Sequence, residues 1–492
     1  MSGIDLSRRR FLSVATTLAG GAVLSSPSGF GWMVEEEKAD YSLTIATQPI
    51  ELAANRIVSL TAYNGQFPGP LLRFKEGERV TVEVHNDTNT PEQLHWHGQS
   101  IPSDVDGAAE EGTPFIPPHG KQRISFIPGP SGFRFYHTHV RAGADLSLGQ
   151  YSGLVGPVFI EPKSNPGRYD REVFLTLKEF QPTFSQGGDM DMDFLAPSAT
   201  VKDLKDAGGN AMKASLAKGM AKGYEVGYDA FTINGRMLGH GEPVRVRQGE
   251  RVLFHVLNGS AGEIRSLALP GHTFLIVAMD GNMLPKPVRM PGLWIGTAER
   301  ISALVEMNHP GVWVMGDLSN DDRRHGMGIV VEYRGHTGKP QWIAPRFFHW
   351  NYARFGHTEP HSQTPDEVFE MTFAKDNAAF AGFNRWTING VSHPLDQRMA
   401  APAFHLVQGK RYRLRMRNAS DDIHPVHLHR HTFELTKVAG QTTSGVLKDV
   451  VMVGGYEEME IDFTADNPGL TLFHCHQQLH MDYGFMSLFD YV

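Results

Sequence analysis

One unit of sequence occurs three times in the chain, and a repeat of domain length constrains the fold more than any other feature. The dipeptides Asn64-Gly65, Asn234-Gly235 and Asn389-Gly390 each lie within a β-rich run: LTAYNGQ, FTINGR and WTINGV. A second shared element follows each of them: KEGERVTVEVHND at 75–87, RQGERVLFHVLNG at 247–259 and VQGKRYRLRMRNA at 407–419. These read as Gly turns leading into strands. In the first, Val80, Val82 and Val84 alternate with polar residues, the period of a half-buried strand. The shared Gly77, Gly249 and Gly409 lie 172 and 160 positions apart, the length of one domain. Short strands, 52 Gly, 30 Pro and few helical runs predict an all-β chain of three consecutive β-sandwich domains. The expected boundaries are 40–165, 166–340 and 341–492. The stretch 185–222, rich in Gly, Lys, Ala and Met (GGDMDMDF, KASLAKGMAKG), breaks the pattern. It reads as a partly helical or mobile insertion in the second domain, either a solvated excursion or a lid over a substrate site.

Composition narrows the partners. The 492 residues carry a net charge of −8, with no basic patch beyond the N-terminus. Phosphate binding needs clustered Lys and Arg, so no nucleic-acid partner is expected. An apolar share of 40% with 20% charged residues fits a globular protein. At the N-terminus, Ser7-Arg8-Arg9-Arg10-Phe11-Leu12 looks like a twin-arginine signal, running into an apolar, small-residue stretch from Phe11 to Ser26. That stretch is shorter than the roughly 20 residues a membrane span needs. Residues 1–33 are therefore expected to be a signal peptide, although no clean A-x-A marks the cleavage point. The protein would leave through the twin-arginine machinery, for the periplasm or beyond, without stable membrane insertion. That route suits proteins that fold, or load a cofactor, before crossing.

The histidines are the chemical signal: 24 of them against a single Cys. One Cys forms neither an intramolecular disulfide nor a CxxC site. Counting 18 and 20 positions from Gly77 gives His95 and His97, and the same steps from Gly409 give His427 and His429. From Gly249 they give Leu267 and Leu269. Five and seven positions after Gly132 come His137 and His139, and after Gly469 come His474 and His476. After Gly311 the same steps reach Gly316 and Leu318. Alternation along a strand puts both members of each pair on one face. A lone histidine in an apolar setting is usually a satisfied core residue; four pairs at matched repeat positions are not. Eight histidines are thus expected to converge between the first and third domains, with the second as a spacer. His431 continues the alternation, but RHTF at 430–433 matches GHTF at 271–274, where no pair exists, so His431 and His272 read as structural. His85, His119, His325, His357 and His361 show no partner pattern.

Cys475 lies between His474 and His476. On an extended strand its side chain points away from theirs, so one tripeptide can touch two metal sites. His480 follows Cys475 by five positions and Phe485 by ten, while His424 stands upstream of the His427/His429 pair. Two imidazoles and a thiolate in a trigonal set make a blue-copper electron-transfer site. Zinc would prefer four tetrahedral ligands, and structural zinc sites are usually Cys-rich. The eight remaining histidines can hold three further coppers, with electrons crossing from the Cys475 copper through Cys475 to His474 and His476.

HWHG at 95–98, HTH at 137–139, HPVHLH at 424–429 and HCHQQLHMDYGFM at 474–486 resemble the four copper motifs of three-domain multicopper oxidases. The resemblance spans nearly the whole chain after the signal. It implies three cupredoxin-like Greek-key domains, four coppers per chain, and coupling of four one-electron donor oxidations to reduction of O2 to water. By motif, His424, Cys475 and His480 would hold the type 1 copper and His95 and His427 the type 2 copper. His97, His137, His139, His429, His474 and His476 would hold the type 3 pair. Two positions depart from the family pattern. The axial type 1 position, often Met, is Phe485, with Met486 one step later. Phe cannot coordinate, so a copper nearer three-coordinate and of higher potential is expected, unless a local bulge brings Met486 inward. Relatives often carry a proton-relaying Glu after the second type 1 His, where this chain has Met481 and then Asp482. Asp106, in the VDG that follows HWHG, matches the acid relatives place near the cluster, and is the expected proton donor. Asp-Gly is also a strong turn signal in its own right.

In relatives the edge of a type 1 His accepts the electron, which makes His480 or His424 the expected gateway. Laccase-like oxidation of phenols and aromatic amines is the leading expectation. A cuprous or other metal-ion oxidase of copper tolerance is the alternative, with Met190, Met192, Met212 and Met220 of the insertion as soft ligands. A non-catalytic copper-binding or envelope scaffold would have lost ligands, and none is lost. A two-domain, nitrite-reductase-like assembly would not need four His pairs. One chain supplies every ligand, so a monomer is expected.

Overall fold

The computed structural model describes residues 38–163, 167–185, 194–217, 222–360, 363–395 and 400–492. The expected signal peptide lies outside them, as do Met190, Met192, Met220 and His361. The three Asn-Gly dipeptides share one backbone. Asn64 and Gly65 have φ of 52° and 67°, Asn234 and Gly235 53° and 74°, Asn389 and Gly390 53° and 78°. Two successive positive φ values are what a type I′ turn requires, and Asn-Gly reaches them at least cost. Each Asn also locks onto a Thr in the neighbouring strand. Asn64 Oδ1 accepts from the Thr44 amide (2.6 Å), Asn234 Oδ1 from Thr176 and Asn389 Oδ1 from Thr372 (2.8 Å each). Each Asn amide donates back to the same Thr carbonyl.

From these turns the chain folds into three β-sandwiches built on one plan. In each, the opening strand pairs in parallel with the strand after the Gly turn: Tyr41–Ala53 with Val80–Asn86, Arg171–Ser185 with Arg251–Asn258, Glu367–Phe380 with Arg411–Asn418. Residue alternation sets which face is buried. Along Arg411–Asn418, Tyr412, Leu414 and Met416 face the core while Arg411, Arg413 and Arg415 turn outward to Glu434, Glu460 and Asp462. Fully burying an apolar side chain of this size contributes about 1.5–3 kcal/mol.

The second sheet of each outer sandwich carries the histidines. In the first sandwich it runs β1 (His95–His97), β2 (Gly132–His137), then Val155–Glu161 and Leu72–Lys75. In the second, β3 (Arg300–Glu306) lies inside a six-stranded sheet, between Arg251–Asn258 and Phe274–Met279. In the third, Val450–Val453 is followed by β4 (His424–Leu428), β5 (Thr471–Cys475), β6 (Met486–Tyr491) and Phe404–Leu406. A short helix, Gln478–Asp482, follows β5.

Part of the insertion is helical, as its composition suggests. Helix α1 (Lys202–Ala217) lies against the third sandwich, where Arg417 pairs with Asp203 at 2.5 Å and the Val201 amide donates to the Tyr456 carbonyl. No helix among the described residues is long and apolar enough to cross a membrane.

Arg430 ties the first and third sandwiches together. Its buried guanidinium donates to the carbonyls of Ile101 (2.9 Å), Leu470 (2.7 Å), Pro468 (2.7 Å) and Asn467 (3.0 Å). Hydrogen bonds from a charged donor contribute about 1.5–3 kcal/mol, so Arg430→Leu is expected to cost about 3 kcal/mol. Urea unfolding reads this directly; a loss below about 1 kcal/mol would show that water replaces the guanidinium.

Candidate metal centres

Strand register brings the four His pairs together. Across β1 and β2, His95 stands opposite His137; across β4 and β5, His427 stands opposite His474. His429 and His476 follow directly on the ends of β4 and β5, and His139 lies two residues past the end of β2. All eight are buried. Their ring nitrogens form three groups in which the atoms lie within 4.8 Å of one another: His97, His137 and His476; His139, His429 and His474; and His95, His97 and His427. No residue of the second sandwich belongs to any such group among the described residues.

The hydrogen bonds decide which nitrogen is free. Nδ1 is bonded on His95 (Asp106 carbonyl, 2.9 Å), His137 (Thr138 carbonyl, 2.7 Å) and His427 (Asp449 carbonyl, 2.7 Å). It is also bonded on His429 (Asp106 Oδ2, 2.9 Å) and His474 (Cys475 carbonyl, 2.8 Å). Each of these five Nδ1 atoms faces an acceptor and so carries the proton, leaving Nε2 as a lone pair. Nε2 of His95, His137 and His427 has no hydrogen-bond partner. Nε2 of His429 and His474 approach to 3.1 Å, with His139 Nε2 3.5 Å from His474 Nε2. Lone pairs facing one another in a buried space repel unless a cation lies among them. Burial, reinforced by the neighbouring imidazoles, holds His97, His137, His139, His427, His429 and His476 well below the usual imidazole range, and burial brings His474 down to about 3. Neutral imidazole is the form that binds a metal.

A second group lies on the opposite side of β5. Cys475 Sγ is 3.7 Å from His424 Nδ1 and 3.6 Å from His480 Nδ1, and all three side chains are buried. His424 is fixed by Ser420 Oγ at its Nε2 (2.8 Å), and the Trp386 ring lies 4.2 Å from the His480 ring. Burial pushes the Cys475 thiol up and both imidazoles down. A metal entering here would displace the thiol proton.

Acidic residues line the imidazole cluster. Asp106 Oδ2 is 2.9 Å from His429 Nδ1 and 3.1 Å from His95 Nδ1. Burial raises its carboxyl, but the His95 imidazole and a hydrogen bond from Glu111 bring it below the ordinary value. Burial, then the Asp106 charge, holds Glu111 well above it. Glu111 Oε1 accepts from the Leu472 amide and lies 3.5 Å from His429 Nδ1; Glu110 Oε2 is 3.8 Å from His139 Nδ1. Glu110, Glu111 and Asp449 were not anticipated from sequence, although the Glu pair follows Asp106 closely enough to have been weighed with it.

Three family models, each described as multicopper oxidase, match residues 44–165, 199–332 and 361–492. The chain belongs to the multicopper oxidase family. Members of this family are oxidoreductases that use O2, and the His and Cys groups fit its copper sites. Multicopper oxidase MmcO of Mycobacterium tuberculosis (strain ATCC 25618 / H37Rv) is 27% identical over 521 residues, covering 99% of this chain and 97% of that protein. Laccase-3 of Thanatephorus cucumeris is 24% identical over 594 residues, covering 98% and 94%. The crystal structure of a multi-copper oxidase from Pseudomonas thermotolerans shares the fold, with a TM-score of 0.68 at 22% identity, covering 92% of this chain and 100% of that one.

Two positions separate this multicopper oxidase from the usual motif. The Phe485 ring packs edge-on against His424, centroids 4.8 Å apart, while Met486 belongs to a different apolar cluster with Ala108, Met481 and Leu488. No bulge turns Met486 towards Cys475. Met481 is buried in that cluster, and Asp482 caps the first sandwich instead, accepting from the amides of Ala142 (3.1 Å) and Gly143 (2.8 Å). His431 uses both nitrogens, towards the His429 carbonyl (3.0 Å) and the Tyr491 hydroxyl (2.7 Å). His272 repeats the pattern with the Pro270 carbonyl and Tyr333, as expected of a structural pair.

Proposed function

We propose that this multicopper oxidase is a laccase-type enzyme, coupling four one-electron oxidations of phenolic or aromatic-amine donors to reduction of O2 to water. The observation that carries the reading is the complete donor set: ten buried imidazoles and one thiol, sorted into groups whose nitrogens face one another. In this reading His424, Cys475 and His480 hold the type 1 copper, and His95 and His427 the type 2 copper. His97, His137 and His476 hold one type 3 copper and His139, His429 and His474 the other, four coppers per chain. Copper bound there would supply the one-electron redox chemistry and the reduction of O2. The chain's part is to keep the imidazoles neutral and dry, and to join the two sites through His474-Cys475-His476. In this reading Asp106 and its neighbour Glu111 form the proton-donating pair beside the cluster.

His480 is the proposed gateway, since it keeps 4% of its surface exposed while His424 has none and is capped by Ser420. Phe485, packed against His424, has no ligand atom to offer a copper held there, which would favour a high potential. Phe485→Met is expected to lower the potential by about 60 mV or more, given that a tenfold change in a one-electron equilibrium is 59 mV. Redox titration of the visible band checks it, and an unchanged midpoint would remove Phe485 from the axial role.

The metal-ion alternative has its own support. Helix α1 places Met212 Sδ 3.2 Å from Asn377 Nδ2, on the strand whose Lys375 pairs with Asp421 and Asp422, just before His424. Lys375 already lies 2.7 Å and 2.6 Å from those two carboxylates, which weakens their pull on a cation. Oxygen uptake by the copper-loaded protein with a dimethoxyphenol and with Cu(I) separates the readings. Faster uptake with the phenol supports the laccase type; uptake driven mainly by Cu(I) transfers the assignment to a metal-ion oxidase. Export by the twin-arginine route and action as a monomer complete the proposal, the latter because one chain supplies every ligand.

A further inference from the structure

The second sandwich supplies no imidazole, yet one of its side chains reaches the cluster. Arg300 opens β3, and its guanidinium is fully buried. It holds Asp449 in a two-pronged clamp, Nη1 to Oδ1 and Nη2 to Oδ2, both at 2.6 Å. Asp449 in turn touches two of the histidines. Its Oδ1 lies 3.2 Å from His97 Nε2, and its backbone carbonyl accepts from His427 Nδ1 at 2.7 Å.

His97 differs from five of the other rings. Where His95, His137, His427, His429 and His474 are bonded through Nδ1, His97 is bonded through Nε2 and its Nδ1 has no partner. The partner of one ring nitrogen sets which nitrogen is left for a metal. The acceptor that makes His97 different is the carboxylate Arg300 grips.

A glycine in the motif points the same way. Gly98 follows His97 at φ 77°, and a Cβ there would sit 2.5 Å from Asp449 Oδ2 and 2.6 Å from Arg300 Nη2. The last residue of HWHG is thus small because the clamp occupies the space a side chain would need.

Arg300 is itself fixed. It donates to the carbonyls of Ala298 (3.0 Å), Asp280 (3.3 Å) and Phe133 (3.4 Å), and its own amide donates to Asp280 Oδ1 (2.9 Å). Lys448 lies 2.9 Å from both Asp280 Oδ2 and Glu299 Oε1. Arg134 of β2 reaches Asp449 Oδ2 at a longer 3.3 Å. Burying so many charges is seldom a net gain in stability over apolar packing, so stability alone does not account for the network.

We propose that Arg300 is a positioning residue for the imidazole cluster: by clamping Asp449 it holds His97 at Nε2 and aims His97 Nδ1 at the cluster. The second sandwich then completes the site without donating a ligand. The proposal rests on the copper reading above, and its test keeps the two apart.

Arg300→Lys retains the buried charge but loses the fork. In the copper-loaded full-length chain, this variant is expected to keep the visible band of the Cys475 site. Oxygen uptake falls about 10–100-fold, as for other residues that orient metal ligands, and the electron paramagnetic resonance spectrum of the non-blue copper changes. In the copper-free protein, nitrogen-15 NMR of the imidazoles should find the His97 proton on Nε2 in the wild type and redistributed in the variant. Lys448→Met serves as control, because it removes a buried cation of the same network that does not touch the Asp449 carboxylate. Uptake within about threefold of wild type with unchanged spectra would overturn the proposal. So would the same spectral change in Lys448→Met, which would make the effect general loosening. A wild-type chain that binds no copper would instead overturn the copper reading, and the proposal with it; failure of the positioning role alone leaves wild-type copper content intact.

Discussion

Cys475→Ser is expected to abolish the visible thiolate band and to cut donor-driven oxygen uptake about a thousandfold or more, a barrier increase of about 4 kcal/mol. The substitution changes one atom. Sγ lies 3.7 Å and 3.6 Å from ring nitrogens of His424 and His480, and the chain has no second cysteine. A serine hydroxyl is a hard, protonated ligand and does not replace a soft thiolate in a trigonal site. The path that joins this site to the imidazole cluster also starts at that sulfur. His474 and His476 keep their partners, so copper at the cluster should remain while copper at the Cys475 site is lost or weakly held. Metal analysis, the visible spectrum and oxygen uptake check the three parts separately. A Ser variant that keeps the band and turns over normally would remove Cys475 from the mechanism.

Asp106→Asn should lower oxygen uptake about a hundredfold, the low end of the range for loss of a proton-transfer group, and leave the Cys475 band unchanged. Asp106 and Glu111 form a pair of buried acids pushed in opposite directions, Asp106 below its ordinary value and Glu111 well above it. Such a pair can deliver a proton and recover it. An amide in place of the carboxylate keeps an oxygen for His429 Nδ1 but cannot carry a proton. The signature of the proton role is therefore slow reoxidation of the reduced enzyme by O2 with full copper content. Uptake within about threefold of wild type would assign proton delivery elsewhere, with Asp449, Glu111 and Glu110 the other acids beside the cluster.

Much of the fold was legible because it is local and repeated. The Asn-Gly turns announce positive φ through residue type alone, and the alternation in VTVEV and YRLRM marks which face is buried. The His pairs were legible for the same reason, since their distance from the shared glycines repeats. His272 and His431 share a carbonyl-and-tyrosine environment that the matching HTF tripeptides anticipated.

What escaped depends on contacts between sandwiches. Arg300 and Asp449 are 149 positions apart, and His97 and Asp449 are 352 apart. No periodicity links such residues. Lys448 reads in sequence as a surface residue, yet its side chain is fully buried between Asp280 and Glu299. Ligand positions alone make the second sandwich a spacer, since it carries none of the His pairs. The choice between Nδ1 and Nε2 was invisible as well, being set by acceptors on other strands. At the far end, Met481 and Asp482 stand where relatives often carry a relaying Glu. What Asp482 does there emerges only from packing, where it is taken up by the amides of Ala142 and Gly143.

The most direct test of the account is the electron balance. A copper-loaded sample would oxidise a one-electron donor such as dimethoxyphenol while O2 consumption and peroxide are recorded together. The expected result is four donor electrons per O2 with no peroxide released. Two electrons per O2 with stoichiometric peroxide would contradict the claim that the imidazole cluster carries O2 through to water.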